Sequence, residues 1–306
     1  MGNELVTIKD YSAITSIVLD GLTSEHSKRA YEKALVDFLD WYDQSGKPGL
    51  SKATVQRYKT ILQDQGLAPS TINQRMSAIR KLAQEAADNG ILDPLLANGI
   101  SKVRGVTRHG IRAGLWLTKD QAQELLNKPD VETLKGSRDR AILAVMLGGG
   151  LRRSEIAKLQ IGHIQQREGR WVIVDLIGKG NHIRTVPIPS WAKKAIDDYL
   201  ERAGVQSGNL FISINKGGDI SGKSITPQAI RDIVSGYGKE IGFKELAPHD
   251  LRRTFAKLAH KGGAGLDQIQ LQLGHLSIQT TENYLGVAQD LTDAPCDRLG
   301  LSLFVL

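Results

Sequence analysis

Four short segments of the 306-residue chain carry side chains suited to one chemical task. They are Gly150-Leu151-Arg152-Arg153-Ser154-Glu155, Gly178-Lys179-Gly180-Asn181, Pro248-His249-Asp250-Leu251-Arg252-Arg253-Thr254, and Leu273-Gly274-His275 followed nine residues later by Tyr284. Two arginines can grip the non-bridging oxygens of a phosphodiester, while a lysine and histidines move protons beside it. Such a set suits a pentavalent phosphoryl transition state without a metal, and a tyrosine hydroxyl can then act as nucleophile. His249 and Arg252 stand three apart, so a helix would project them from one face. Singly, each element is ordinary. An arginine opening a helix commonly pairs with an acid, a hairpin lysine is commonly solvated, and a lone histidine or a late tyrosine commonly packs. Their joint occurrence, in this order and these local contexts, carries the reading.

The elements that must position these residues follow from periodicity. From Ser24 to about Asn89 apolar residues recur at helical spacing, as in Tyr31, Leu35, Phe38, Leu39 and Tyr42, which predicts a small helical bundle. Glycine and proline clusters at 45–49 and 65–69 divide it, with Ser51 and Ser70 as expected N-caps. A third helix would carry Ile72, Met76, Ile79, Leu82 and Ala86 on one face and Arg75 and Lys81 on another, while the second helix offers Lys52, Arg57 and Lys59. Between Ser101 and Ala113 lie Lys102, Arg104, Arg108 and Arg112 with no acid, a composition suited to a linker crossing a phosphate backbone. The expected division is therefore a helical domain at 1–100, a basic linker at 101–113 and a second domain at 114–306.

In the second domain, helices are predicted from Thr118 to Leu126 and from about Ser137 to Leu147. Gly148-Gly149-Gly150 then lacks the Gly-Lys-Ser/Thr of a phosphate loop and reads as a closely packed helix end. Trp171–Ile177 and Ile183–Ile188, rich in β-branched residues, flank Gly178-Lys179-Gly180-Asn181-His182 and predict a β-hairpin with an exposed turn lysine. Helical patterns return at Ser190–Arg202, Pro227–Lys239, Pro248–His260 and Leu266–Leu273. The fold class expected is mainly α with a small β-sheet.

Composition bounds the function. Forty Lys+Arg against 33 Asp+Glu leave a net charge of +7, which favours a polyanionic partner. The one cysteine, Cys296, can form neither an internal disulfide nor a cysteine zinc site. His249, His260 and His275 are spaced eleven and fifteen apart, which matches no metal-ligand signature. No apolar run approaches the roughly 20 residues that cross a bilayer, and Met1–Asp10 does not resemble a signal peptide, so a cytoplasmic protein with no membrane partner is expected.

Through these motifs, from about Trp116 to Leu285, the chain resembles the tyrosine recombinases, the phage-integrase and Xer-like enzymes of site-specific recombination. The resemblance implies a helical core-binding (SAM-like) domain followed by a mixed α/β catalytic domain. It implies that Arg152 and Arg252 bind the phosphate, that Lys179 is the hairpin lysine, that His249 and His275 are the two histidines, and that Tyr284 is the nucleophile. Glu155 fits the acidic position that helps to order the site. Two departures are visible: Arg253 stands where a histidine is common, and Gly148-Gly149-Gly150 replaces an apolar-Ala-Thr-Gly approach to Arg152. Neither removes one of the six.

The activity so implied is cleavage and rejoining of DNA through a 3′-phosphotyrosyl intermediate, with no cofactor, ATP or metal. The expected partners are double-stranded DNA with an inverted-repeat site and three further copies of the chain, a homo-tetramer on two duplexes. Lys52, Arg57, Arg75, Lys81, Lys102, Arg104 and Arg108 are the expected DNA contacts. About 20 residues precede the first helical signal, which leaves little room for an added arm-binding domain. The apolar tail beyond Leu285 is expected to dock on a neighbouring protomer. Two rivals share the residues: a type IB topoisomerase-like nicking-closing enzyme, and a non-enzymatic DNA-binding accessory protein on the same fold.

Overall fold

Side-chain caps and apolar stripes define the helices of the first unit, Met1–Gly110. The computed structural model describes residues 8–107, 115–215 and 217–285. Five helices are present among them: α1 (Ile8–Asp20), α2 (Glu25–Gln44), α3 (Lys52–Asp64), α4 (Pro69–Asp88) and α5 (Pro94–Ser101). The Ser24 hydroxyl accepts from the Ser27 amide to open α2, and Ser51 accepts from Thr54 to open α3. Ser70 does not cap α4. Pro69 occupies the first turn, with its ring already at a helical φ, and Ala68 stands at the cap without a side-chain bond. Two of the helices, α1 and α5, were not foreseen; α1 lies within the stretch read as preceding the first helix.

The apolar stripe of α4 is buried as its spacing predicts: Ile72, Met76, Ile79, Leu82 and Ala86 are each at most 1% exposed. They pack with Leu35, Phe38, Val55 and Tyr58 into one core, in which the Phe38 and Tyr58 rings meet edge-on at 5.1 Å. Full burial of each large apolar side chain contributes about 1.5–3 kcal/mol. The stretch read as a basic linker begins packed on this core. Asn73 Nδ2 donates to Val106 O at 3.0 Å and Asn73 Oδ1 accepts from Val106 N at 2.7 Å, while Arg80 Nη2 donates to Val103 O. Residues 102–107 therefore continue the first unit.

The second unit, Ile111–Leu306, is built around one helix. Its elements in order are α6 (Lys119–Asn127), α7 (Leu134–Gly149), α8 (Arg153–Ile156), β1 (Ile164–Arg167), β2 (Arg170–Ile177), β3 (Ile183–Pro187), α9 (Ser190–Ala203), β4 (Ile212–Ile214), β5 (Ile220–Ser224), α10 (Pro227–Glu240), α11 (Pro248–Lys261), α12 (Leu266–Leu273) and α13 (Ile278–Leu285). From Gly136 onward α7 is buried on every side except at Arg140, and its Ile142 and Met146 pack among Leu125, Ile173, Tyr199 and Leu251. The hairpin β2–β3 is present in antiparallel register, with Ile177 opposite Ile183. It gains β1 on its outer edge, giving the order β1-β2-β3, and a separate pair β4-β5 forms farther along. Neither addition was foreseen, nor was α13. The fold is mainly α with small antiparallel sheets. The apolar tail beyond Leu285 and Arg108 lie outside the described residues.

Candidate active site

The glycine run is where the site begins. Helix α7 stops at Gly150, whose φ of 67° is the left-handed conformation that favours glycine, and a Cβ there would come within 2.6 Å of Phe255 Cδ1. At Gly148 an added Cβ would strike the Pro189 ring at 2.9 Å. The run is thus a close-packed helix end, as its lack of a phosphate-loop continuation indicates. The turn buries Leu151 and leaves Arg152 at the N-cap of α8.

Arg152 is held by the residue three positions on. Its backbone amide donates to Glu155 Oε2 at 2.8 Å and its Nη1 to Glu155 Oε1 at 2.8 Å. Glu155 is 4% exposed. Arg184, from β3, closes on the same carboxylate with Nη1 to Oε1 at 3.0 Å and Nη2 to Oε2 at 2.9 Å. Burial by itself raises the Glu155 pKa; the hydrogen bonds of Arg184 and of the Arg152 amide, with both guanidinium charges, outweigh it and leave the carboxyl below its ordinary value.

Helix α11 presents Arg252 and His249 together. Pro248 occupies its first turn, and Asp250 Oδ2 accepts from the Ala247 amide at 3.0 Å. Arg252 is 2% exposed: Nη1 donates to Gly150 O at 2.7 Å, and Nη2 donates to Leu273 O. One guanidinium therefore ties the end of α7 to the end of α12. Arg253, in the place where a histidine is common, donates to Asp250 Oδ1 at 3.1 Å and to Leu115 O at 3.3 Å, so it fastens the start of the unit to α11. Arg152, Arg252 and His249 line one pocket of about 420 Å³, joined by Arg153 and by Arg231 from α10, and no carboxylate is among its lining residues. Four arginines around one concavity focus a positive field suited to a phosphodiester.

His275 follows the left-handed cap Gly274 (φ 63°) at the end of α12. Its Nδ1 lies 2.9 Å from the hydroxyl of Thr281, a fully buried residue of α13. Desolvation first, then the charges of Arg252 and Arg152, lower its pKa to about 4. The same order of causes, desolvation and then Arg253 and Arg252, lowers that of His249. Both rings are thereby kept in the neutral form at neutral pH, with one ring nitrogen free of its proton as an acceptor and the other an N–H donor. Tyr284 stands on α13, three residues after Thr281. The end of that helix is held by Lys257, whose Nζ donates to Leu285 O at 2.7 Å. Lys179 opens the 3₁₀ turn Lys179–Asn181 between β2 and β3.

Of the residues singled out by motif, Arg152, His249 and Arg252 share the pocket, and His275 feels the charges of both arginines. Arg184, Arg231 and Thr281 escaped sequence reasoning. The one available signal was indirect: an added Cβ at Gly178 or Gly274 would press on the Arg184 side chain, at 2.9 Å and 3.0 Å.

In the first unit, Lys52, Arg57, Lys102 and Arg104 are exposed. Arg75 is not displayed as its helical position suggests. Its Nη2 pairs with Asp37 at 2.8 Å and Nη1 donates to the Tyr58 hydroxyl at 3.4 Å, leaving the side chain 16% exposed, because α2 and α3 pack over that face of α4. Lys81 pairs with Glu85 at 2.6 Å.

Comparison with known proteins fits this geometry. The phage integrase family matches residues 115–290, and the N-terminal SAM-like domain of phage integrases matches residues 16–90. Tyrosine recombinase XerC of Pelobacter propionicus is 31% identical over 273 residues, covering 87% of this chain and 86% of that protein. Tyrosine recombinase XerD of Listeria innocua is 28% identical over 292 residues, 89% of this chain and 91% of that protein. Among solved structures, XerH site-specific recombinase bound to palindromic difH substrate aligns with a TM-score of 0.68 at 18% identity, over 87% of this chain and 77% of that one. A lambda integrase dimer bound to a COC′ core site also gives 0.68, at 14% identity over 93% and 98% of the two chains.

The two family matches, and relatives named as tyrosine recombinases over most of its length, make the chain an enzyme that breaks and rejoins DNA. The chain belongs to the phage integrase family, the tyrosine recombinases.

Proposed function

We propose that the chain is a site-specific DNA recombinase working through a 3′-phosphotyrosyl intermediate. The observation that carries this is the pocket in which Arg152, Arg252 and His249 converge, with His275 under the charge of both arginines. Arg152 and Arg252 bind the non-bridging oxygens of the scissile phosphate and stabilise the charge that grows on them. The Tyr284 oxygen attacks phosphorus while its proton passes to His249. As the tyrosyl ester forms, the bond to the 5′-oxygen breaks, and Lys179 supplies the proton that lets it leave as a hydroxyl. His275 donates a hydrogen bond to the phosphate, and Glu155 holds Arg152 in place. Attack by a 5′-hydroxyl from a second duplex reverses the step, so the energy of the bond is retained in the ester.

The exposed Lys52, Arg57, Lys102 and Arg104 suit contact with backbone phosphates, and Arg108 completes that basic run in the sequence. Lys81 joins them by exchanging Glu85 for a phosphate. Exchange between two duplexes needs a nucleophile on each cut strand, so the working assembly is a homo-tetramer. Its target is an inverted-repeat site, in keeping with the palindromic DNA of the XerH complex. The test is a suicide half-site, nicked so that the short fragment bearing the freed 5′-hydroxyl diffuses away. Wild type should accumulate a covalent protein–DNA adduct and, given two labelled sites, recombinant junctions, while Tyr284→Phe should bind with unchanged affinity and form neither. An adduct with Tyr284→Phe refutes the assigned nucleophile. Relaxation of supercoiled DNA without any junctions would replace strand exchange by nicking and closing.

A further inference from the structure

We propose that Arg184 is a positioning residue for the reaction, the tie that holds three catalytic segments in one register. The inference rests on the reading above and goes beyond it, since no motif singled this residue out. Arg184 belongs to β3, where it pairs across to Leu176, and so is part of the hairpin whose turn carries Lys179. Its guanidinium takes Glu155 in a two-pronged grip at 2.9 and 3.0 Å, and Glu155 in turn holds Arg152 through backbone and side chain. Its Nε donates to Gln272 O at 2.9 Å, three residues before His275. One side chain, only 10% exposed, therefore joins the hairpin of the lysine, the arginine at the start of α8 and the turn that leads to a histidine.

The chemistry of the side chain makes the role specific. Only a planar fork can match both oxygens of a carboxylate while a third nitrogen donates elsewhere, so lysine keeps the charge and loses the geometry. The surrounding backbone is shaped to admit it. Added Cβ atoms at Gly178 and Gly274 would lie 2.9 Å from Nη1 and 3.0 Å from Cδ, so these two glycines leave space that the guanidinium and its stem occupy. Arg184 lines no part of the phosphate pocket, so its effect on the reaction passes through Glu155, Arg152 and the His275 turn. A phosphate clamp misplaced by about 1 Å loses on the order of a hundredfold in rate.

The experiment compares wild type, Arg184→Lys, Glu155→Gln and the double variant in single-turnover adduct formation on the suicide half-site. DNA is saturating, the temperature lies well below each melting point, and rates are expressed per bound, folded molecule. Each single variant should lose about 10- to 100-fold, with half-site affinity within about threefold of wild type. The double variant should be no slower than the slower single, because both changes break one unit. Losses that multiply in the double variant, or unchanged rates per bound molecule in Arg184→Lys, overturn the proposal. Should Arg184→Lys not fold, Gly178→Ala serves instead. Its backbone φ of −92° admits alanine, every charge is retained, and the new methyl meets Nη1; a rate equal to wild type in that variant also refutes the tie. Tyr284→Phe in the same assay separates the two claims. An adduct there refutes the phosphotyrosyl reading, whereas no adduct there combined with multiplicative losses refutes only the role of Arg184.

Discussion

Gly150→Ala offers a direct measure of how tightly the site is built. The substitution keeps α7 apolar yet places an L side chain at φ 67°, which costs about 1–2 kcal/mol in the left-handed region. The new methyl would also sit 2.6 Å from Phe255 Cδ1 and 3.1 Å from Leu273 Cδ2, and overpacking of that kind costs about 1–3 kcal/mol. The two together, less the entropy that alanine removes from the unfolded chain, come to about 2–4 kcal/mol, or roughly 4–16 °C in melting temperature for a unit of this size. Gly204→Ala is the control. It caps α9 at φ 64° with nothing within 4 Å of the added Cβ, so it carries the conformational cost alone, about 1 kcal/mol after the entropy that alanine removes from the unfolded chain. Urea titration of both variants, followed by tryptophan fluorescence, gives the difference, expected at about 1–3 kcal/mol from crowding. Function should follow: the Gly150 carbonyl accepts from Arg252 at 2.7 Å, so displacing it should slow adduct formation in Gly150→Ala and leave Gly204→Ala at the wild-type rate. Equal destabilisation in the two variants would refute the close packing of α7 against α11 and α12 on which the placement of Arg252 depends.

Lys179→Ala should slow cleavage of ordinary DNA far more than cleavage of a substrate with sulfur at the 5′-bridging position, since a thiolate leaves without a proton donor; equal losses would move the general acid to another residue. The His275 ring should remain neutral at pH 5 when its resonances are followed by NMR, given a pKa of about 4 against 6.5 in the unfolded chain. Because the unfolded state then binds the proton first, the stability this group contributes is complete above pH 6.5 and declines as pH falls toward 4, so a ring that titrates at 6 or above would overturn the assignment. Replacing Lys102, Arg104 and Arg108 together by alanine should lower the slope of log affinity against log salt by about 2–3, at about 0.9 per phosphate contact, and an unchanged slope would remove this stretch from the DNA interface.

The degree to which fold and site can be read in advance follows the range of the forces involved. Ser51 is an N-cap in sequence and in structure because capping spans three residues, and the α4 stripe is buried because its spacing admits one wet face. Ser70 fails as a cap because Pro69 beside it starts the helix more cheaply. Strands β1, β4 and β5 are only three to five residues long, with no alternation long enough to register, and they form only because β2 and their mutual pairing supply partners. Arg75 looks like a displayed cation until α2 brings Asp37 against it, a contact between residues 38 apart in the chain.

The same distinction runs through the site. Arg152, His249, His275 and Lys179 stand at the ends of elements: an N-cap, a first helical turn, the residue after a left-handed cap, and a hairpin turn. Ends are where glycine, proline and capping residues punctuate a sequence, so a reader is led to them, and they are also where side chains can converge on a ligand without disrupting a ladder of backbone hydrogen bonds. Arg184 and Thr281 lie within elements, without punctuation, and their partners are 29 residues and six residues away respectively, on other elements or turns. Residues that touch a phosphate must be presented, whereas residues that hold those in place must be enclosed. Enclosure leaves its mark in the neighbours that give way, here Gly178 and Gly274, so a glycine beside a site residue at a φ that any residue could adopt points to a large side chain arriving from elsewhere in the fold. Gly178 is such a case, with an ordinary φ of −92° and the Arg184 guanidinium in the space its missing side chain leaves.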